Sequence, residues 1–259
     1  MTTESATATY KKNGKTYCLT SDMHTHTIYS HGKGTIEDNV KAARALDLKK
    51  IGIADHGPAH VGFGVKRRQL PMMRREVDRL QKKYPDTDIR LGIEANIMYK
   101  DGMLDIHPDD LHLFDYVLAG YHYGAVGRDP LPSIGRGVGN FLTPKRMASR
   151  GMIARNTQDI VSALRRNDVY ALTHPGDKFP VDLIEVAAAC AETDTLVELN
   201  TSHRSLSEKN VSDMAIADVR FIISSDAHAP GRVGDFRSAV DLVLGAGIDV
   251  ARVVNLKVV

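Results

Sequence analysis

The sequence predicts an α/β fold in which strands and helices alternate around one parallel sheet. Seven strand-like runs are separated by helix-like runs or loops, the pattern of repeated βα units whose sheet either closes into a barrel or stays open. The chain has 259 residues, 42% of them hydrophobic, which suits one large domain. No linker or internal repeat divides it. We therefore expect one domain over residues 16–259, after a flexible segment at residues 1–15.

The strands are predicted from short β-favouring runs, several of them bounded by charged or turn-forming residues. In chain order they are TYCLTSDM (16–23), KIGIAD (50–55), DIRLGIEAN (88–96), DYVLAGYH, DVYALTH, TLVELN and VRFIISSDAH. The first helix is predicted over 35–49, where Thr35 can cap the first turn and apolar residues recur at helical spacing. Further helices are expected at 67–84 and near 157–166, 180–191, 208–217 and 236–245.

One segment, residues 125–155, does not fit this alternation. It is rich in glycine and carries six basic residues against the single acid Asp129; the basic residues are Arg128, Arg136, Lys145, Arg146, Arg150 and Arg155. A connection this long inside a compact domain is usually functional or disordered. We interpret it as a mobile basic lid, with a surface loop that has no role at the site as the alternative.

Composition excludes several classes of protein. The net charge of +2 gives no indication of a nucleic-acid or membrane partner. The two cysteines, Cys18 and Cys190, lie far apart without CxxC spacing, so neither a disulfide framework nor a thiolate metal site is expected. The polar N-terminus lacks the apolar run of a signal peptide, and no apolar run approaches 18 residues. These observations predict a cytoplasmic protein.

Histidines and carboxylates recur where the predicted strands end. The stretch SDMHTHTIYSH (21–31) holds three histidines, and six of the seven strands end in a histidine or a carboxylate; these residues are His24, His26, Asp55, His56, Glu94, His122, His174, Asp226 and His228. The carboxyl ends of parallel barrel strands converge on one face, and residues two apart on a strand point to the same side. The sequence therefore predicts a metal site built from these side chains.

The motifs around these residues resemble a known family. DMHTHT, ADHGP, GIEAN, AGYH, THPG and SSDAH are similar, in this order, to the motifs of the PHP (polymerase and histidinol phosphatase) family. Within it they most resemble the small stand-alone bacterial phosphatases with three metals. The resemblance runs from about residue 20 to about residue 240 and implies a distorted (β/α)7 barrel.

The resemblance also implies a division of the ligands among three divalent ions. The first ion would be held by His24, His26, Glu94 and Asp226, and the second by His31, His56 and His228. Glu94 would bridge to a third ion, completed by His122 and His174. His31 lies one residue closer to His26 than in those relatives. His60 and His203, in loops near the barrel mouth, are expected to lie outside the ligand set.

Nitrogen and oxygen ligands without sulfur suit Zn²⁺, Mn²⁺ or Fe²⁺, and we expect zinc. Such ions lower the pKa of bound water and neutralise phosphate oxygens, so we expect hydrolysis of a small phosphate monoester by a metal-activated hydroxide. Asp55 is the candidate catalytic residue, either as a proton carrier or through a hydrogen bond that orients a ligand. Three basic side chains are candidates for binding the substrate phosphate: Arg155, Lys178 and Arg204.

Three other functions remain open. A phosphodiesterase or exonuclease acting on nucleotides would use the basic segment, although the chain has no Trp and only fifteen Phe and Tyr residues for stacking on bases. A non-catalytic, metal-stabilised PHP module would be expected to have lost ligands. An amidohydrolase would usually need a lysine at a strand end. The expected partner is thus a small phosphorylated substrate, with no membrane partner, and no oligomeric state is predicted.

Overall fold

The structure is a computed structural model that describes residues 7–99, 102–127 and 130–259. It omits the side chains at positions 130, 132 and 133. Arg128 and Asp129 of the basic segment, and residues 1–6 of the expected flexible segment, lie outside this description. The described residues form a seven-stranded parallel sheet and a three-stranded antiparallel sheet, surrounded by helices. No described helix has the length and apolar character needed to span a bilayer.

A hairpin precedes the barrel. Its strands, β1 (Thr9–Lys12) and β2 (Lys15–Leu19), pair antiparallel around Asn13 and Gly14, whose φ angles are 50° and 75°. An Asn-Gly pair adopts these left-handed conformations readily and favours a two-residue hairpin turn. Residues 9–15, which the sequence analysis assigns to a flexible segment, thus form a hairpin that pairs with the rest of β2. The strand predicted over 16–23 is wrong as one element, because it divides between two sheets.

Seven parallel strands form the barrel, each paired with its neighbour in chain order: β3 (Ser21–Asp22), β4 (Lys50–Ile53), β5 (Asp88–Asn96), β6 (Tyr116–Gly120), β7 (Ala171–Leu172), β8 (Leu196–Asn200) and β9 (Phe221–Ser224). The first and last approach each other just beyond their ends. There Thr25 and Ala227 form a parallel bridge, and the His26 amide donates to the Ala227 carbonyl at 2.8 Å. The sheet is thus nearly closed, which confirms the distorted (β/α)7 barrel.

The barrel interior is filled by a small apolar cluster to which most strands or their ends contribute one residue: Met23, Ala54, Leu118, Ala171, Leu196 and Ile222. Tyr116 packs against this cluster and donates its hydroxyl to the Met23 carbonyl at 2.7 Å. A Cβ at Gly52 or Gly92 would collide with the Tyr116 ring. Glycine at these two positions therefore makes room for the aromatic side chain.

In the part of the chain that the structure describes, seven α-helices accompany the strands: α1 (Ile36–Ala45), α2 (Leu70–Lys83), α3 (Pro130–Leu142), α4 (Arg150–Arg166), α5 (Leu183–Glu192), α6 (Glu208–Met214) and α7 (Arg237–Gly245). Thr35 caps α1 as predicted, in a reciprocal capping box with Asp38. The apolar faces of α1, α2 and α4 to α7 share one large core with the outer face of the barrel, whereas α3 contributes no described residue to it.

The basic segment is mostly helical, so the expectation of an irregular connection is wrong. It contains α3 and the first turns of α4, which Ser149 caps by accepting a hydrogen bond from the Met152 amide at 3.2 Å. Tertiary contacts offset the low helix propensity of the glycines in α3. Arg136 forms an ion pair with Asp159 of α4, and Asn140 exchanges hydrogen bonds with Asn156. Closure of this segment over the site stays a prediction.

The last strand covers the amino end of the barrel. This strand, β10 (Leu256–Val258), pairs antiparallel with β2. Just before it, the buried Asn255 side chain donates to the carbonyls of Ser21 and Ile223 at 2.8 and 2.7 Å. It also accepts from the Ile223 amide at 3.0 Å. The β1-β2-β10 sheet is thereby joined to the barrel strands β3 and β9.

Candidate metal centre

The fold brings the nine predicted ligands together at the carboxyl ends of the strands: His24, His26, His31, His56, Glu94, His122, His174, Asp226 and His228. Seven of them are buried, while His31 and His228 are partly exposed. We call these nine residues the metal-ligand cluster. Their grouping follows from the distances between nitrogen and oxygen atoms.

The first group lies between β3 and β9. The Nε2 atoms of His24 and His26 are 3.1 Å apart, and His26 Nε2 is 3.1 Å from Asp226 Oδ1. Glu94 Oε2 lies 3.5 Å from His24 Nε2 and 3.7 Å from His26 Nε2. Four side chains thus direct ligand atoms at one small volume.

The second group surrounds the other oxygen of Glu94. Oε1 is 3.0 Å from His174 Nε2 and 3.3 Å from His122 Nε2, and these two nitrogens are 3.3 Å apart. A single carboxylate therefore faces both groups, which is the geometry of a bridging ligand.

The third group is formed by imidazoles. The ligand atoms of His26, His31, His56 and His228 all lie within 4.8 Å of one another. His56 Nδ1 is also 2.7 Å from Glu94 Oε2, so His56 faces the third group and the shared carboxylate at once. His31 joins this group despite its shorter spacing from His26.

The cluster has the properties of a cation site. His56 Nδ1, Glu94 Oε2 and Asp226 Oδ1 are buried, and although they lie close to one another or to His26, their angles do not allow a hydrogen bond to any described residue. Buried polar atoms are nearly always satisfied, and leaving one without a partner is costly. Ligand nitrogens and oxygens that point at each other at 3.0–3.7 Å fit a divalent ion between them.

Charge in the cluster leads to the same conclusion. Burial would raise the pKa of Glu94, but the imidazoles of His122, His24 and His56 outweigh it and hold that pKa well below its ordinary value. Burial lowers the pKa of His24, yet the carboxylates of Glu198, Asp226 and Glu94 raise it well above the ordinary value. A cluster that attracts a proton so strongly also attracts a metal cation. Burial lowers the pKa of His122 to about 3, which keeps its ring neutral and able to ligate.

Hydrogen bonds from outside the cluster orient two of the predicted ligand imidazoles. Glu198 Oε1 accepts from His24 Nδ1 at 2.7 Å, and Asn96 Oδ1 accepts from His122 Nδ1 at 2.8 Å. A ring that donates from Nδ1 presents the lone pair of Nε2 to the cluster. The sequence interpretation missed both partners. Asn96 lies two residues beyond Glu94 on the same side of β5, and Glu198 lies on β8, the strand to which no ligand had been assigned.

Two of the predicted ligands occupy unusual backbone conformations. His174 has φ 29° and Asp226 has φ 50°, in the left-handed region that residues other than glycine seldom adopt. The His174 amide donates to Glu198 Oε2 at 2.9 Å, which holds the strained residue in place. Such strain persists only where the surroundings impose it, and it concentrates at functional sites.

Asp55 fixes the loop that carries the ligands. Its carboxylate accepts hydrogen bonds from the Thr27 amide and hydroxyl at 2.7 and 2.6 Å, and from the Ser30 hydroxyl at 2.5 Å. All three donors lie between His26 and His31. These contacts favour the orienting role for Asp55 over that of a proton carrier.

The predicted phosphate-binding residues differ in their position. Lys178 Nζ is 2.8 Å from Asp177 Oδ2 and 3.4 Å from His203 Nδ1, and the His203 ring lies 5.0 Å from that of His174. Arg204, with His174 and His203, lines a cavity of about 310 Å³ beside the cluster. Arg155 is exposed on α4, and no described contact links it to the cluster.

The two histidines expected outside the ligand set touch it without belonging to any of the three groups. The His60 ring stacks on His56 at 5.1 Å. His203 Nδ1 is 3.0 Å from Asp177 Oδ2, and its Nε2 is 3.5 Å from the second oxygen of Asp226. Both rings therefore line the approach to the cluster.

Comparison with known proteins identifies the family. The sequence-family model of the PHP domain matches residues 22–202, more than two thirds of the chain. The chain belongs to the PHP domain family. A "probable phosphatase" of Shewanella sp. (strain MR-4) is 31% identical over 237 residues, covering 86% of this chain and 81% of the relative. One from Thermoanaerobacter sp. (strain X514) is 31% identical over 255 residues, covering 93% and 91%.

Solved structures of PHP proteins share the fold. A candidate histidinol phosphatase from Listeria monocytogenes superposes with a TM-score of 0.65 at 18% identity, over 85% of this chain and 99% of that one. The histidinol phosphate phosphatase of Lactococcus lactis, solved with zinc, L-histidinol and phosphate, gives a TM-score of 0.60 at 16% identity. It covers 89% of this PHP chain and 95% of its own. At these identities the likeness concerns the fold.

Proposed function

We propose that this PHP protein is a metal-dependent phosphatase that hydrolyses a small phosphate monoester. The observation that carries the proposal is the sharing of Glu94 between two groups of ligands, with a third group of imidazoles alongside. Relatives named as phosphatases, and a neighbour of the same fold solved with zinc and phosphate, support it.

The nitrogen and oxygen ligands suit three divalent ions, which we propose to be zinc, with manganese or iron as alternatives. We assign the first ion to the first group, with His24, His26, Glu94 and Asp226 as ligands. The second ion belongs to the imidazole group, with His31, His56 and His228. The third ion belongs to the group around Glu94 Oε1, with Glu94, His122 and His174. Bound there, such ions would act as Lewis acids that lower the pKa of water and neutralise phosphate oxygens.

The remaining residues of the site have roles that follow from their contacts. Glu198 and Asn96 hold the rings of His24 and His122 with their Nε2 atoms directed inward. Asp55 fixes the loop between His26 and His31, so we assign it to positioning rather than proton transfer. We assign to Lys178 a contact with a phosphate oxygen at the edge of the cluster, which its 3.4 Å distance from His203 Nδ1 supports.

The substrate would enter beside His174 and His203. Arg204 borders the cavity there, whose volume of about 310 Å³ suits a small leaving group. Arg155 has no comparable position and is the weakest of the three phosphate-binding candidates. Because all nine ligands are present, a module that binds metal only for stability is disfavoured. The cytoplasmic location predicted from the sequence remains part of this proposal.

A substrate panel tests the function. The protein is loaded in turn with Zn²⁺, Mn²⁺ and Fe²⁺ and assayed against sugar phosphates, nucleotides, histidinol phosphate and a phosphodiester. We expect at least one monoester to be hydrolysed with a kcat/KM well above that of the diester. Metal-free protein and the Asp226→Asn variant serve as controls. Faster cleavage of the diester would favour the phosphodiesterase, and inactivity of fully metal-loaded protein on every compound would favour the non-catalytic module.

A further inference from the structure

Helix α3 presents an apolar face that the described structure leaves largely exposed. Five large side chains recur at helical spacing on it and are between 49% and 82% exposed: Leu131, Ile134, Val138, Phe141 and Leu142. We call these five residues the α3 face. Met147, in the turn that follows, is exposed as well. Soluble proteins rarely expose so many neighbouring apolar side chains without a binding function.

The exposure of the α3 face does not result from a poorly fixed helix orientation. The opposite side of α3 is fixed to the protein through the Arg136–Asp159 ion pair and the hydrogen bonds between Asn140 and Asn156. Gly137 also packs closely on the Tyr123 carbonyl. Since these contacts occupy the polar side, the apolar side is directed to solvent by the fold itself.

Positive charge accompanies the apolar face. Residues 130–155 contain five basic residues and no acid. Three of them, Lys145, Arg146 and Arg150, are exposed just after α3, and none forms an ion pair with a described acid. The chain as a whole carries only +2, so this excess is local.

We propose that the α3 face, together with Lys145, Arg146 and Arg150, docks the protein on an anionic lipid bilayer. A helix with one apolar side and flanking basic residues lies in the interface plane, where its apolar side chains enter the acyl boundary and its charges meet anionic headgroups. A second copy of this chain is a poorer occupant, because pairing two such faces would bring like charges together. The proposal replaces the expectation, drawn from overall composition, that there is no membrane partner.

Docking would place the bilayer beside the metal-ligand cluster. The Phe141 ring packs edge-on against Tyr123 with centroids 5.6 Å apart, and Tyr123 directly follows His122. The proposal does not depend on the phosphatase activity, because it rests on the surface of α3 and the following turn.

Vesicle sedimentation tests the proposal on the full chain. Vesicles of phosphatidylcholine with phosphatidylglycerol should bind at least tenfold more protein than vesicles of phosphatidylcholine alone, and salt should weaken the binding. Phe141→Ser/Leu142→Ser and Lys145→Glu/Arg146→Glu should each reduce binding about tenfold. The matched controls Ile216→Ser, an 81% exposed site elsewhere, and Lys82→Glu/Lys257→Glu should not.

A fluorescence measurement separates insertion from charge attraction alone. The chain contains no Trp, so Phe141→Trp introduces a single reporter. Its emission should shift to the blue on addition of anionic vesicles, while that of Ile216→Trp should stay unchanged. Three results would overturn the proposal: equal and weak binding to both vesicle types; a lipid-free dimer abolished by Phe141→Ser/Leu142→Ser; or binding to polyglutamate that matches the vesicles and survives that double substitution.

Discussion

Both ends of the barrel bury polar side chains, but among the described residues only one end leaves atoms of these side chains without hydrogen-bond partners. At the amino end, the side-chain amide of Asn255 forms hydrogen bonds with three backbone groups of the barrel strands. At the carboxyl end, Glu94 and Asp226 each keep one buried oxygen without a hydrogen bond to any described residue. A satisfied polar group stabilises the scaffold, whereas an unsatisfied one is the mark of a ligand site. The difference separates residues that hold the fold from residues that we propose hold a metal.

Glu94→Gln should have the largest effect on activity. The substitution preserves shape but removes the charge that two ligand groups share, so both metal content and turnover should fall. We expect kcat/KM to decrease on the order of 1,000-fold, since metal ions contribute several kcal/mol to such a transition state. Elemental analysis and steady-state kinetics measure the two effects, with Glu192→Gln as the control. Full activity in Glu94→Gln would show that this carboxylate is not a bridge.

Removal of the ions should destabilise the protein. Ions that bind only the folded state contribute about 4 kcal/mol at a concentration about 1,000 times Kd. For a chain of this size that corresponds to a loss of about 8–16 °C in Tm after chelation. Thermal unfolding before and after treatment with a chelator measures the shift, and re-addition of Zn²⁺ or Mn²⁺ should reverse it. An unchanged Tm would mean that the cluster is formed and held without cations.

Asn255→Ala should affect the fold without affecting the metals. It leaves three buried backbone groups of Ser21 and Ile223 without partners, at a cost of about 2–4 kcal/mol in the free energy of unfolding. Denaturant unfolding measures this loss, and Lys257→Ala in the neighbouring strand is the neutral control. Loss of metal at a concentration where the variant is still folded would contradict the separation of the two ends.

Glu198→Gln should weaken metal binding while leaving the ligands themselves in place. The neutral amide is a poorer acceptor for the Nδ1–H of His24, so the imidazole becomes a weaker donor to the metal. We expect a decrease in metal affinity of about 10–100-fold. Competition with a chromophoric chelator reports the affinity. An affinity equal to that of the unchanged protein would limit Glu198 to holding the His174 amide.

Lys178→Ala should have the smallest effect, confined to the substrate. A single charged contact with a phosphate oxygen at the edge of the cluster should change KM by about tenfold, with metal content unchanged. Arg155→Ala, far from the described contacts of the cluster, is the matched control and should leave KM as it is. An unchanged KM in Lys178→Ala would show that Lys178 is not a phosphate ligand, and a raised KM in Arg155→Ala would restore Arg155 as a candidate.

Some of the features that the sequence analysis did not predict are indicated by local sequence, and others are not. The Asn13-Gly14 pair is a strong hairpin signal, so β1 was accessible from the sequence even though it was assigned to a flexible segment. Asn96 could also have been predicted from the sequence, because it lies two residues after Glu94 on β5 and its side chain therefore points to the same side of the sheet. The docking of α3 could not, since its glycines and prolines oppose a helix until Arg136 and Asn140 meet their partners on α4.

The sequence by itself determined the order of the βα units and the residue types at the strand ends. Because parallel strands place their carboxyl ends on one face, those two facts were enough to predict a cluster of ligands from residues two hundred positions apart. Only the tertiary structure decided which atoms face each other, that β10 closes the amino end against β2, and that the apolar side of α3 is largely exposed among the described residues. These depend on contacts between distant segments, and local periodicity carries no information about the partner that a side chain meets.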